Sequence, residues 1–180
     1  MVKFFDDIKK EGVLSVALQI MISAKTAPKA LGQDSVIIAL VSDEEKEKIA
    51  QQLHKLGDIA GEKLHRDAKC VEQALAVLLF GIKNTDTPNA NCGACGFATC
   101  EEFLKKEKKG RPFPGPFCNF KLVDLGIAVG SAVKTAALIS VDNRVMYSVG
   151  IAAKLLNLIE ADYILGVPLS ATSKNIFFDR

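Results

Sequence analysis

Four of the chain's cysteines are confined to one short stretch, and they limit what this part of the chain can become. Cys92, Cys95, Cys100 and Cys118 follow a C-x2-C-x4-C-x17-C spacing. Three thiols within nine residues and a fourth returning after a short helix suit a cubane iron–sulfur cluster. Gly93 and Gly96 allow the backbone to fold tightly around the sulfurs and aim N–H groups at them. Thr99 and Glu102 form a T-x-x-E capping box that places Cys100 at the first helical position, with the positive helix end toward an anionic cluster. Zinc is the competing reading. Structural zinc sites usually pair two C-x2-4-C knuckles or mix Cys with His, whereas one C-x2-C is present here. A disulfide framework does not fit a chain that reads as intracellular and has apolar residues enough for a core.

The stretch NCGACGFATCEEF (91–103) resembles the small 4Fe-4S domain with a CGxCGxxxC pattern found in redox-complex subunits and corrinoid iron–sulfur proteins. With VDNRVMYSVG (141–150) and KNIFFDR (174–180), the wider chain is similar to a family of uncharacterised proteins containing a ferredoxin domain. The resemblance implies the cluster and brings no known reaction with it.

At 180 residues the length fits a single domain, 1–180, with a cluster-binding segment at 90–119 inserted in it. A net charge of +2 offers no global attraction for nucleic acid, and the absence of Trp leaves little for base stacking. MVKFFDDIKK has early acids, unlike an export signal. The apolar runs 74–82 and 125–141 are too short or too interrupted for a membrane span. A reducing cytoplasm is the expected location.

Periodicity predicts a helix over 12–26 ended by Pro28 and Gly32, and a buried strand at 36–41. Ser42 and Glu45 form a second capping box. It opens one long helix with Ile49, Leu53, Leu56, Ala60 and Leu64 on a single face and Glu44–Lys48 paired outside. A second strand is expected at 74–82, a short basic helix at 100–109, and a Gly/Ala-rich helix from its N-cap Asp124 to about Leu138. The last is apolar nearly all round, so it is expected to be central or in a homodimer interface. A short helix near 150–158 and a strand at 163–169 complete an α+β layered fold with packed helices.

This order also resembles the FMN-dependent nitroreductase fold: a helix running into an APxxxxQ turn, a strand, a D-x-G helix of small residues, and a final strand ending LGVP. It departs where that family usually presents Ser and Asn to the flavin, since AKTAPKALGQDS has Lys29 and Gly32 there. The basic N-terminal flavin-phosphate motif is not recognisable either. The resemblance implies FMN, with Lys29, Arg144 and Lys174 as the candidate contacts.

Other polar residues carry two readings each. Cys70 reads as a small buried hydrophobe, with a reactive thiol as the alternative. His54 and His65, eleven apart, would share a helical face as exposed or capped histidines, without a third ligand for a metal. The basic run Lys105–Arg111 is either a solvated helix face or a docking patch for an acidic electron carrier. Arg144, in Asp142-Asn143-Arg144, either pairs with a carboxylate in a turn or meets an anion bidentately, together with Lys174, Asn175 and Arg180. The tail with its two Phe residues could equally dock on a second subunit. Three functions follow: a 4Fe-4S electron-transfer protein, flavin-linked if it is an oxidoreductase; a non-enzymatic cluster-stabilised binding or redox-sensing protein; and a zinc-stapled module. No Ser-His-Asp arrangement, Walker loop or GxGxxG is present.

Overall fold

Ala76–Ile82 is apolar throughout because it is covered on both faces. In the computed structural model, which describes residues 1–178, this stretch is strand β2 and every residue in it is buried. Val77 and Leu79 enter one core, while Leu78, Phe80 and Ile82 enter the other. β2 pairs antiparallel with β1 (Ile37–Val41) and with β4 (Tyr163–Ser170), and the two-residue β3 (Asp142–Asn143) pairs with the outer edge of β4. The sheet order is β1-β2-β4-β3.

Helices cover both faces, giving the layered α+β class the sequence predicts. On one side α1 (Phe5–Thr26) lies against α5 (Asn119–Leu138). Val13, Ala17, Ile20 and Ala24 of α1 share a core with Leu125, Ala128, Ala132 and Ala136 of α5. These small side chains let the two helices approach closely. A polar latch joins them as well: Thr135 Oγ1 donates to Ser23 Oγ at 2.7 Å, and Ser23 Oγ donates to the Ser131 carbonyl at 3.0 Å. On the other side lie α2 (Asp43–Ala60), α3 (Glu62–Gln73) and α6 (Tyr147–Leu155). No helix of the described residues is long and apolar enough to cross a membrane.

Helix ends differ from expectation for local reasons. α1 starts at Phe5 because Asp6 and Asp7 sit in its first turn, where the helix dipole favours acids. This polar turn carries no apolar period to betray it. The long helix after β1 is two helices, broken at Gly61, whose φ of +103° is in glycine territory. The Ser42–Glu45 box does not form. Ser42 donates instead to Asp43 Oδ2 at 3.0 Å, Asp43 adopts φ +51°, and Lys10 pairs with its carboxylate. His54 and His65 consequently lie on separate helices and share a 2.9 Å hydrogen bond between their Nδ1 atoms, flanked by Glu72 and Asp58. The helix expected over 100–109 is α4 (Cys100–Lys105) and stops there.

Asp124 is not an N-cap. α5 begins five positions earlier, and Asp124 is buried inside it, accepting from the Ala30 N–H at 2.8 Å and paired with Lys121 at 3.2 Å. Lys121 also donates to the Gln33 carbonyl at 2.6 Å, so the pair clamps the 30–33 turn onto α5. Lys121→Met strands a buried carboxylate and is expected to cost roughly 3–5 kcal/mol. Lys121→Met with Asp124→Leu recovers much of that in urea denaturation, and equal stability of single and double variants would contradict the clamp. Nor is α5 enclosed. One face is in the core, while Phe120, Val123 and Ile127 on the other are 39%, 54% and 40% exposed.

α6 approaches β4 unusually closely. A Cβ at Gly150 would lie 1.8 Å from the Ile164 carbonyl oxygen, and one at Gly166 would lie 2.1 Å from Val149 Cγ1.

Candidate metal centre

The chain leaves β2 and enters a turn whose backbone alternates in handedness. Asn89 (φ +59°), Asn91 (+47°) and Gly93 (+71°) are left-handed, while Ala90 and Cys92 between them are not. Such alternation turns successive N–H groups to one side and forms a concave anion-holding nest. Asn is one of the few residues that tolerate the left-handed region. The nest closes on Cys100. Its thiol is held below the ordinary value, first by the Thr87 hydroxyl and then by the Asn91 N–H at 3.4 Å; burial opposes this, and the Ala90 and Asn89 N–H groups add to it. Asn91 grips from both ends, because its side-chain oxygen also accepts from the Cys100 N–H at 2.8 Å.

Cys100 opens α4, as the spacing predicts. Thr99 Oγ1 accepts from the Glu102 N–H at 3.2 Å, while Glu102 Oε2 reaches back to the Ala98 N–H at 3.1 Å, one residue beyond a regular box. Cys118 is the residue immediately before α5, and Asn119 ties that helix start to the Ala94 carbonyl between the first two cysteines. All four thiols therefore line a single cavity, with Thr87, Phe97 and Phe103 completing its wall. Cys100 and Cys118 are buried, Cys95 is intermediate and Cys92 is exposed, and none is in a disulfide.

The donor set fits a multi-iron cluster. Four thiols lining one cavity supply the all-thiolate donor set such clusters take, with N–H donors already aimed at one sulfur.

Lys108, which sequence reasoning left within a general basic run, lies beside this cavity. Its Nζ is 3.5 Å from the Phe103 ring centroid and donates to the Phe103 carbonyl at 3.0 Å. Burial pushes this ammonium down, while the nearby Cys95 sulfur favours its charged form. The rest of the run is not one helix face. Lys105 pairs with Glu101 at 2.5 Å and Lys109 with Glu107 at 2.7 Å, and Lys109 forms a small β-bridge with Gly115. The bridge carries Phe113 into the core, where its ring meets Tyr163 at 4.7 Å and Tyr147 at 5.4 Å. Phe117 meets Tyr163 at 5.6 Å, and Asn84 donates to the Pro114 carbonyl at 2.8 Å. This aromatic group fastens the cysteine segment to the layered domain.

The residues expected to meet a flavin have these partners in the fold. Lys29 is buried and caps α1, donating to the carbonyls of Ala24 at 3.1 Å, Lys25 at 3.2 Å and Ala27 at 2.6 Å. Arg144 Nη1 donates to the Phe177 carbonyl at 2.9 Å, and among the described residues it has no carboxylate partner. Lys174 is exposed, its carbonyl accepting from Thr172, and Asn175 bonds Asp142 at 2.9 Å. Arg180 lies outside the described residues. Cys70 is buried and donates to the Ile176 carbonyl at 3.6 Å, in keeping with the bland reading.

The NADPH:FMN oxidoreductase from Vibrio harveyi complexed with NAD+ superposes with TM-score 0.55 at 18% identity, covering 89% of this chain and 60% of the enzyme. A nitroreductase with bound FMN from Desulfitobacterium hafniense gives 0.59 at 16% identity, over 89% of this chain and 78% of that one. Nitroreductase CinD from Lactococcus lactis, in complex with nicotinic acid, also gives 0.59, at 14% identity and the same coverage. The chain thus spans about 60% of the length of the Vibrio enzyme it matches, and the likeness is one of fold. Residues 88–111 match a family model for an Fe-S cluster. Fold and site define an iron–sulfur protein on a nitroreductase-type α+β scaffold.

Residues 114–180 match the model described as an uncharacterized protein containing a ferredoxin domain. An uncharacterized protein from Archaeoglobus fulgidus is 48% identical over 174 residues, 97% of this chain and 95% of the relative. The chain belongs to this family of uncharacterized ferredoxin-domain proteins.

Proposed function

We propose that this chain is a 4Fe-4S electron-transfer protein whose ligands are Cys92, Cys95, Cys100 and Cys118. The observation that carries the reading is the single cavity lined by all four thiols, with the Asn89–Asn91 nest closed on one of them. When bound, the cluster supplies a one-electron couple whose potential responds to hydrogen bonds and local charge. The chain's own residues then have separable tasks. Thr87 and the nest stabilise negative charge on Cys100 and favour its thiolate. Exposed Cys92 leaves one side of the site open to a partner. Lys108 places a half-buried cation near Cys95. Lys108→Gln is expected to lower the midpoint potential by roughly 50 mV, since a nearby cation favours the more reduced state. Spectroelectrochemical titration reads this directly, and an unchanged potential would remove Lys108 from the account.

A partner surface belongs to the same proposal. Lys106 and Arg111 are exposed within Lys105–Arg111, directly beyond Cys100, and suit an acidic electron carrier. Association with such a carrier is expected to slow as ionic strength rises; a rate independent of salt would count against it. A homodimer is the other proposed partnership, with the open stripe Phe120, Val123 and Ile127 as its contact. The expected location remains a reducing cytoplasm, which free thiols and an oxygen-sensitive cluster favour.

The fold supports a further step, a flavin-linked oxidoreductase. Three backbone carbonyls engage the Lys29 ammonium, while Arg144 uses one N–H on the Phe177 carbonyl and keeps others free; no reaction is derived through either. A cavity of about 540 Å³ lined by Phe5, Asp6, Lys9, Ser140, Thr172 and Ser173 has room for such a group. The engagement of Lys29 by three backbone carbonyls favours the second reading, a cluster-stabilised binding or redox-sensing module. Anaerobic titration of the iron-loaded chain with FMN separates the two. Saturable quenching of flavin fluorescence with about one FMN per chain supports the oxidoreductase. No binding at high micromolar FMN supports the module.

A further inference from the structure

The exposed face of α3 carries a concentration of charge that the cluster chemistry does not use. Arg66 and Lys69 stand one helical turn apart and line a cavity of about 360 Å³ with Gln73, Arg144, Phe177 and Phe178. Lys69 and Arg144 form no ion pair among the described residues, and Arg66 is offset by its neighbour Asp67 at 3.1 Å. No carboxylate among the described residues lines the cavity itself. Lys69 and Arg144 repel each other across this space, with Arg66 partly offset by Asp67, and an anion between them relieves the repulsion.

The site is built rather than incidental. Asn175 bonds Asp142 at 2.9 Å, and its side-chain oxygen accepts from the Phe177 N–H at 2.9 Å, which fixes the tail as one wall. Arg144 is oriented by the Phe177 carbonyl at 2.9 Å and lies over the Phe178 ring at 5.2 Å. One guanidinium N–H is used by that carbonyl, leaving the others for a ligand. The volume is that of a small-molecule site.

We propose that this cavity binds an organic phosphate: Arg66, Lys69 and Arg144 receive the phosphoryl dianion, and the exposed Phe178 ring receives a flat apolar group attached to it. The assignment does not depend on the cluster and would stand if the electron-transfer reading failed.

Calorimetric titration of the full chain with phenyl phosphate and with inorganic phosphate, at constant ionic strength, tests it. Phenyl phosphate is expected to bind about tenfold more tightly than inorganic phosphate, because the ring buries apolar area. Lys69→Gln and Arg66→Gln, both at exposed positions that the cores do not use, should each weaken phenyl phosphate about tenfold through loss of a charge-assisted contact. Their iron content and thermal midpoint should stay unchanged. Absence of binding to the unaltered chain, or equal affinity in both variants, would overturn the site. Equal affinity for the two ligands would overturn the aromatic half of it.

Discussion

Cys118→Ser is expected to abolish the visible thiolate-to-iron absorption of the anaerobically purified chain while leaving the layered domain folded. Cys118 is buried at the start of α5, and the preceding Phe117 joins the aromatic group on Tyr163. Its sulfur therefore has a fixed position that a serine oxygen, harder and a poorer iron ligand, does not replace. The two hydrophobic cores use none of the four candidate ligands, so far-UV circular dichroism and cooperative unfolding should survive. Cys100→Ser should behave alike and also lose the nest's target. Cys92→Ser, at the exposed edge, should leave a weakly held, oxygen-labile centre. Full iron retention by Cys118→Ser would move the fourth ligand elsewhere. Collapse of the whole fold would mean that the cluster holds the domain together rather than occupying a segment of it.

Gly150→Ala is expected to be the most destabilising single-methyl substitution in the chain. The added carbon would stand 1.8 Å from the Ile164 carbonyl oxygen, a backbone atom with no rotamer to yield. α6 would have to lift from β4, opening contacts of Val149 and Ala153 with Ile164 in the same core. Overpacking of this kind costs about 3 kcal/mol or more. For a chain of this length that lowers the thermal midpoint by roughly 10 °C. Ser148, also buried and near the start of the same helix, provides a control. Ser148→Ala removes its 2.6 Å hydrogen bond to Asp67 and should cost only about 1–2 kcal/mol. A Gly150→Ala variant as stable as the parent would show that α6 does not press on β4 this closely.

The strands were legible because a stretch buried on both faces has no choice but to be apolar, as in Ala76–Ile82. Helix ends were less so, since they depend on single residues. Nothing in the local pattern around Gly61 announced a break, and Asp124 looked like a cap until Ala30 and Lys121 converged on it from elsewhere in the fold. The grouping of the four cysteines around one cavity was legible in their spacing. Its surroundings were not. Asn89 and Asn91 read simply as turn residues, although Asn's tolerance of the left-handed region was the available signal. Lys108 was hidden inside a charge run, and Phe113 inside a Pro/Gly stretch. A cation near a turn invites a ligand reading; Lys29 instead meets carbonyls of its own helix end, a local arrangement, whereas the Phe177 carbonyl that orients Arg144 is brought to it only by the fold.

The measurement that bears most directly on the account is the iron and acid-labile sulfide content of the anaerobically purified chain, taken with its absorption spectrum before and after dithionite. The account requires about four iron and four sulfide per chain and a broad band that bleaches on reduction. A colourless protein carrying one zinc, and still colourless after anaerobic reconstitution with iron and sulfide, would contradict it.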